Sequence, residues 1–210
     1  MRILLTGAAG QLGRHLSPLL DRAHELIGVD RQRLDLTNQA ALDDLLNDTQ
    51  PDWIINAAAM TAVDQAQTDT ELADQLNHRL PKQLARWAEA NAAKLLHYST
   101  DYVFSGQHTV AWREADPTAP KSVYGISKQR GEQAVIESGA SAYVIRTAWV
   151  YSALPGNFLS GFQVYFKRIL LLVIFFVDTV TAVYVNDVKR FRVLDNEIYP
   201  TTDSYNLTEG

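Results

Sequence analysis

Thr6-Gly7-Ala8-Ala9-Gly10-Gln11-Leu12-Gly13 is the stretch that most limits what this chain can fold into. It follows the apolar run Arg2-Ile3-Leu4-Leu5 and leads into an amphipathic run through Leu16, Leu19 and Leu20. A brief apolar run cut off by a glycine turn predicts a buried strand. Gly7 permits a tight turn, Gly10 a close approach of backbone to a diphosphate, and Gly13 close packing of helix on sheet. The phosphates would then sit at the helix N-terminus. Three glycines can also simply make a loop, but between a strand and a helix they point to a dinucleotide.

Glu25-Leu26-Ile27-Gly28-Val29-Asp30 predicts the second strand. Asp30 lies roughly 20 residues beyond the glycines, where a ribose-binding carboxylate belongs. Arg31 and Arg33 follow at once and suit a 2′-phosphate instead, so NAD and NADP both stay open. Asp35 and Leu36 fit the place that holds an adenine; a helix N-cap at Thr37 or Asn38 explains the polar residues equally well.

Ala40 to Leu46 is helical in pattern, and Trp53 to Ala59 predicts a buried strand closing on Ala57, Ala58 and Ala59. Small side chains there leave room for a flat ligand, or simply pack closely. Leu72, Leu76, Leu80 and Leu84 recur every four residues, a core stripe. Pro81 predicts a break, with a second helix starting near it. His78 is expected at the surface, without a role. Lys94 to Asp101 predicts a further strand whose end, Ser99 and Thr100, faces the ligand edge of a parallel sheet. His97, inside that strand, is expected to be a core histidine.

Tyr124 and Lys128 stand four apart, one above the other if the segment is helical. An ammonium beside a phenol favours the ionised phenol, and the pair could then move a proton near neutral pH. Two exposed residues on an ordinary helix would show the same spacing. The alternation of strand and helix patterns predicts a doubly wound, Rossmann-type α/β domain with a parallel sheet over residues 1–159.

Composition narrows the setting. A chain of 210 residues with 47% hydrophobic content can bury one sizeable core. A net charge of −5, with acids and bases interspersed, disfavours a nucleic-acid partner. The absence of cysteine leaves a reducing compartment unopposed, and Met1 runs into an apolar strand with no leader pattern. A cytoplasmic protein is expected.

The chain resembles the extended short-chain dehydrogenase/reductases, in the branch that reduces 4-keto sugar nucleotides. The resemblance rests on residues 6–13, on Asn56 to Asp64, and on Tyr98-Ser99-Thr100-Asp101-Tyr102-Val103-Phe104. Glu114, Pro120, Tyr124-Gly125, Lys128 and Arg146-Thr147-Ala148-Trp149-Val150-Tyr151 continue it in the family's order. Gln67 departs from the pattern, where an acid is usual.

The resemblance implies that a nucleotide sugar, dTDP-4-dehydro-L-rhamnose, is reduced by NADPH or NADH. It implies that Thr100 bonds the C4 carbonyl, that Tyr124 protonates its oxygen, and that Lys128 holds the cofactor ribose and depresses the tyrosine pKa. Ala9, Gln11 and Leu12 join the glycines in the cofactor loop. Thr61, Val63, Ser99 and Trp149 face the substrate, and Glu114 braces the 115–120 loop. A homodimer is compatible with it. The same catalytic trio would serve a reductase or epimerase on another sugar nucleotide. A non-catalytic subunit like the NADP-binding one that accompanies methionine adenosyltransferase is the rival of a different class.

After Phe158 the text changes. Only Phe104 of the seven phenylalanines precedes Phe158, and Ala182 alone follows Ala153. Ile169 to Val177 is an unbroken apolar run of nine. A membrane helix needs ~20 such residues, so a membrane span is disfavoured; a buried strand or helix fits better. A third account favours an origin outside the family, as a frameshift or altered splice would produce. Residues 160–210 are thus expected to be an atypical tail replacing the usual small substrate lobe. Asn196 to Gly210 is expected to be loose.

Overall fold

The structure, a computed structural model, describes residues 1–107, 111–148 and 150 and the backbone of three short strands beyond them. Its centre is a sheet in the order β2-β1-β3-β4-β5-β6. The first five strands are parallel: β1 (Arg2–Thr6), β2 (Glu25–Val29), β3 (Trp53–Asn56), β4 (Lys94–Thr100) and β5 (Ser141–Thr147). The chain steps from β1 outward to β2, then back past β1 to β3, β4 and β5. Helical crossovers therefore leave β1 in opposite directions and open a crevice at the carboxyl ends of β1 and β3, as the sequence predicts.

Helix α1 (Gln11–Leu20) covers one face, packing Leu16 and Leu20 on Ile3, Leu5 and Ile55. Leu19, expected to join that stripe, is 60% exposed. The other face carries α2 (Gln39–Thr49), α5 (Leu80–Ala90) and α6 (Val123–Ile136). Their apolar sides meet Leu4, Ile54, Leu95 and Val144 in the main core. Asn38 caps α2 by accepting from the Ala41 N–H, one of the two caps expected.

The leucine stripe does not break at Pro81. Helices α3 (Val63–Thr68) and α4 (Thr70–Asp74) lead into a π-helical turn, Gln75–Arg79, which runs directly into α5. The Leu80 N–H reaches back to the Gln75 carbonyl, five residues earlier. Pro81 falls in the first turn of α5, where its missing N–H costs least. The extra residue of the π turn absorbs the proline while the leucines stay on one face, so the expected break becomes a local widening.

Beyond residue 150, β6 (Val183–Val185) pairs antiparallel with β5, and β7 (Arg190–Leu194) pairs antiparallel with β8 (Glu197–Thr201). Residues 197–201, expected to be loose, are thus a paired strand. The apolar run 169–177 lies outside the described residues, as does Trp149. Among the described residues no helix is long and apolar enough to cross a membrane.

Candidate active site

The crevice is built from strand ends. Gly7 has φ +71°, a left-handed turn that a side chain resists. A Cβ there would lie 2.7 Å from the Ala57 carbonyl carbon, so the glycine also lets the turn press against the end of β3. The Gly13 position is tighter still: a Cβ would sit 2.2 Å from the Gly7 carbonyl oxygen. Gly13 therefore serves helix-on-turn packing, a closer contact than the helix-on-sheet packing expected. The Ala8 N–H donates to Val29 O and the Ala57 N–H to Thr6 O, which holds the turn between β2 and β3.

Gly10 is the N-cap residue of α1, and no side chain caps the helix. The first N–H groups of α1 thus face the crevice without a side-chain acceptor, beside exposed Ala9 and Gly10. Leu12 is half-buried in the first turn, and Gln11 Nε2 donates to the Val150 carbonyl at 2.8 Å, joining the glycine turn to the chain after β5. An uncapped helix N-terminus behind a glycine turn is a ready anion site, and a dinucleotide diphosphate fits it.

At the far end, Asp30 Oδ1 accepts from the Gln32 and Arg33 N–H groups at 3.0 Å each. Arg33 is tied back to the Gly28 carbonyl at 2.9 Å, whereas Arg31 is exposed beside it. Asp35 accepts from the Thr37 N–H and hydroxyl, and those bonds, the backbone one foremost, lower its pKa. Leu36 packs against the edge of the main core.

A buried polar row runs across the strand ends. Thr6 Oγ1 donates to Asn56 Oδ1 at 2.7 Å, and Asn56 Nδ2 meets His97 Nδ1 at 3.0 Å. With the amide presenting its N–H, His97 Nδ1 accepts and the ring proton sits on Nε2. Burial, and then the Lys128 charge, push the His97 pKa well down, so the ring is neutral. His97 is a core histidine, as expected. Ser99 is also buried, and its Oγ has no partner among the described residues.

The reacting end is made by β4 and α6. Ser122 caps α6 by accepting from the Gly125 N–H at 3.0 Å, which fixes where the helix starts and so which way Tyr124 points. Tyr124 is 8% exposed, and the Thr100 hydroxyl lies near enough to its phenol to act on its titration. Lys128 is buried one turn below and donates to the Tyr98 carbonyl at 2.6 Å.

Electrostatics correct one expectation. Burial raises the Tyr124 pKa above the ordinary phenol value; the Thr100 hydroxyl opposes the rise, and the Asp101 and Tyr102 charges add to it. Burial meanwhile lowers Lys128 to about 8 against the pull of Glu132. The lysine does not depress the phenol in this arrangement. Its ammonium is committed to Tyr98 O, and desolvation outweighs any pairing. Tyr124 is an acid at neutral pH, a proton donor rather than a phenolate.

Asp101 and Tyr102 stood in the Tyr98–Phe104 motif without a role of their own, and Asn77 had no signal in the sequence. Asp101 accepts from the Thr100 hydroxyl at 3.1 Å, and the Tyr102 ring meets the Tyr124 ring edge-on at 5.6 Å. Asn77, fully buried on the π turn, accepts from the Met60 N–H at 2.9 Å. It also donates to Met60 O and Ser127 Oγ, both at 3.0 Å. One amide thereby clamps the chain after Ala57–Ala59 to α6 between Tyr124 and Lys128. Thr61 is exposed just beyond this clamp, and half-buried Val63 packs with Met60 and Tyr124. Glu114 meets β5 through its carbonyl, which accepts from Arg146 at 3.2 Å.

A family model described as the RmlD substrate binding domain matches residues 1–170. The chain belongs to that family. Its RmlD relatives include the dTDP-4-dehydrorhamnose reductase of Streptomyces griseus, 44% identical over 76% of this chain and 53% of the relative. A probable dTDP-4,6-dihydroxy-2-methyloxan-3-one 4-ketoreductase of Streptomyces antibioticus is 41% identical over 76% of this chain and 55% of its own. Among solved structures, a Bacillus anthracis dTDP-4-dehydrorhamnose reductase in complex with NADP superposes with TM-score 0.73. It is 35% identical, over 76% of this chain and 57% of that one. The chain spans about half the length of the curated relatives it matches.

Proposed function

We propose that this chain carries the cofactor-binding and proton-donating part of a reductase. It would convert the 4-keto group of dTDP-4-dehydro-L-rhamnose to the alcohol of dTDP-L-rhamnose, using NADPH or NADH. The observation that carries the reading is that Thr100, at the end of β4, and Tyr124, on α6, act on each other's chemistry in a sheet whose β1 end runs through the glycine turn into the uncapped N-terminus of α1. The names of the RmlD relatives supply the substrate. The NADP complex of one of them supports the cofactor.

The nicotinamide, when bound, supplies the hydride. The chain's own residues do the rest. Gly7, Ala9, Gly10, Gln11, Leu12 and Gly13 hold the diphosphate through backbone N–H groups and the α1 N-terminus. Asp30 and Arg31 take the adenosine ribose, Asp35 and Leu36 the adenine, and Ala57, Ala58 and Ala59 leave room for the ring system. Thr100 orients the carbonyl oxygen, and Tyr124 gives that oxygen its phenolic proton as the oxygen gains charge. Lys128 sits below the phenol and binds the cofactor ribose. Thr61, Val63, Ser99 and Trp149 line the substrate side.

The RmlD relative from Streptomyces antibioticus favours a second reading with the same trio and a different dTDP-4-keto sugar. A cytoplasmic homodimer completes the proposal.

The test is a titration of NADPH into the purified chain, followed by its oxidation with freshly made dTDP-4-dehydro-L-rhamnose. Cofactor binding with turnover that Tyr124→Phe lowers at least ~100-fold supports the reading. Turnover unaffected by that substitution sinks the assignment, and binding without turnover on any dTDP-4-keto sugar leaves the non-catalytic subunit as the better account.

A further inference from the structure

Glu132 and Arg146 are buried together, at 2% and 5% exposure. Arg146 Nε donates to Glu132 Oε1 at 2.9 Å and Nη2 to Oε2 at 2.8 Å, a two-bonded fork. None of the roles assigned above uses this pair. Replacing a buried ion pair by apolar side chains of similar volume is often neutral or stabilising, so stability is a weak reason to keep one.

Position is a stronger reason. Glu132 lies four residues beyond Lys128 and eight beyond Tyr124, on the same side of α6. Arg146 lies on β5 next to Thr147, whose hydroxyl donates to the Ser99 carbonyl at 3.2 Å. The third guanidinium nitrogen, Nη1, donates to the Glu114 carbonyl. The guanidinium carbon also lies 4.9 Å from the Phe104 ring centre, and that ring stacks on Trp112 at 4.6 Å. One side chain thus touches α6, Phe104 four residues beyond β4, and the segment that leads into α6.

We infer that the Glu132–Arg146 fork is a positioning device for the proposed site, fixing the rotation of α6 on β5 and anchoring Phe104 and Glu114 so that Tyr124 and Lys128 address Thr100. It rests on the reductase reading for its kinetic arm alone. The ionisable groups facing Lys128 are His97 from β4 and Tyr124 and Glu132 from α6, with Asp101 beside Tyr124 and Arg146 behind Glu132. Asp74 of α4 is taken up by His78, Arg79 and Arg130. Loss of Glu132 alone leaves Lys128 facing an unpaired guanidinium, and loss of both partners removes the two charges together.

The first arm follows lysine Cε carbon-13 resonances against pH, with Lys128→Met assigning the signal. Wild type is expected to titrate at about 8. Glu132→Gln should move the midpoint down by roughly one pH unit, since Glu132 is the charge that raises it, and adding Arg146→Met should leave it there. The second arm measures kcat and KM. The double variant should melt within a few degrees of wild type yet lose at least ~10-fold in kcat at unchanged KM, the signature of lost orientation. Arg146→Lys keeps the charge without the fork, so it should leave the Lys128 midpoint in place and lower kcat. A folded Glu132→Gln with an unmoved midpoint, or a double variant with wild-type kcat, overturns the inference. Absence of turnover in wild type would instead count against the reductase reading, and the titration would still decide the fork.

Discussion

The Lys128 ammonium donates to the Tyr98 carbonyl at 2.6 Å, tying the buried middle of α6 to β4 two residues before that strand ends at Thr100. The bond gives a charged group one strong partner inside a core that otherwise resists it. Its pKa of about 8 records that the one partner does not fully offset desolvation.

The pH dependence of stability follows from that value. Between about 8 and the ordinary 10.5, the unfolded chain holds a proton that the folded chain has released. Stability from this group therefore rises with pH through that window, by up to ~3 kcal/mol. Lys128→Met should flatten the rise. Urea unfolding of both proteins at pH 7, 8.5 and 10 measures the difference, and parallel curves would contradict the assignment.

Thr100→Val removes the hydroxyl that opposes the rise burial imposes on the Tyr124 pKa. The phenol should then titrate at still higher pH, read as a later rise in tyrosinate absorbance, with Tyr124→Phe identifying the component. The fold should survive, since the Thr100 hydroxyl's bonds to Asp101 and from the Tyr102 N–H are each worth about 1 kcal/mol. Reduction should slow, because the carbonyl loses its orienting donor.

Gly7→Ala places a Cβ at φ +71°, 2.7 Å from the Ala57 carbonyl carbon. Strain of that kind costs on the order of 1–3 kcal/mol, and the backbone must move as well. NADPH affinity should fall by at least ~10-fold, beyond what the lower melting temperature explains, because the moving turn is the proposed diphosphate cradle. A loss of stability with full affinity would place the cofactor elsewhere.

Asn77→Asp keeps an acceptor for the Met60 N–H but removes the two donated bonds, to Met60 O and Ser127 Oγ. It also buries a charge. A cost of about 3 kcal/mol or more is expected in denaturant unfolding, while Asn77→Leu should cost about 2–4 kcal/mol by stranding three groups. A near-neutral Asn77→Leu would show that the clamp is not under load.

Much of the fold was legible because its signals are local. The strand before Gly7, the helix after Gly13 and the small residues ending β3 each announce themselves within a few positions. The strand end Ser99-Thr100 and the Tyr124–Lys128 spacing needed only the assumption of a parallel sheet. Pro81 misled because a proline signals a break only while the helix keeps its usual pitch; the π turn changes the pitch. Leu19 misled because a ten-residue helix on one side of a sheet has only one face to bury.

By itself the sequence determined the glycine turn, the order of strands and helices and the four-residue step from Tyr124 to Lys128, all set by neighbours along the chain. Tertiary structure alone decided the rest. Asn77 meets Met60 across 17 residues, Glu132 meets Arg146 across 14, and Asn56 meets His97 across 41. The protonation of Tyr124 and Lys128 belongs to the same class, because a pKa answers to burial and to charges brought close by folding. Spacing made the tyrosine a phenolate candidate beside a cation; packing made it a buried acid above a desolvated ammonium.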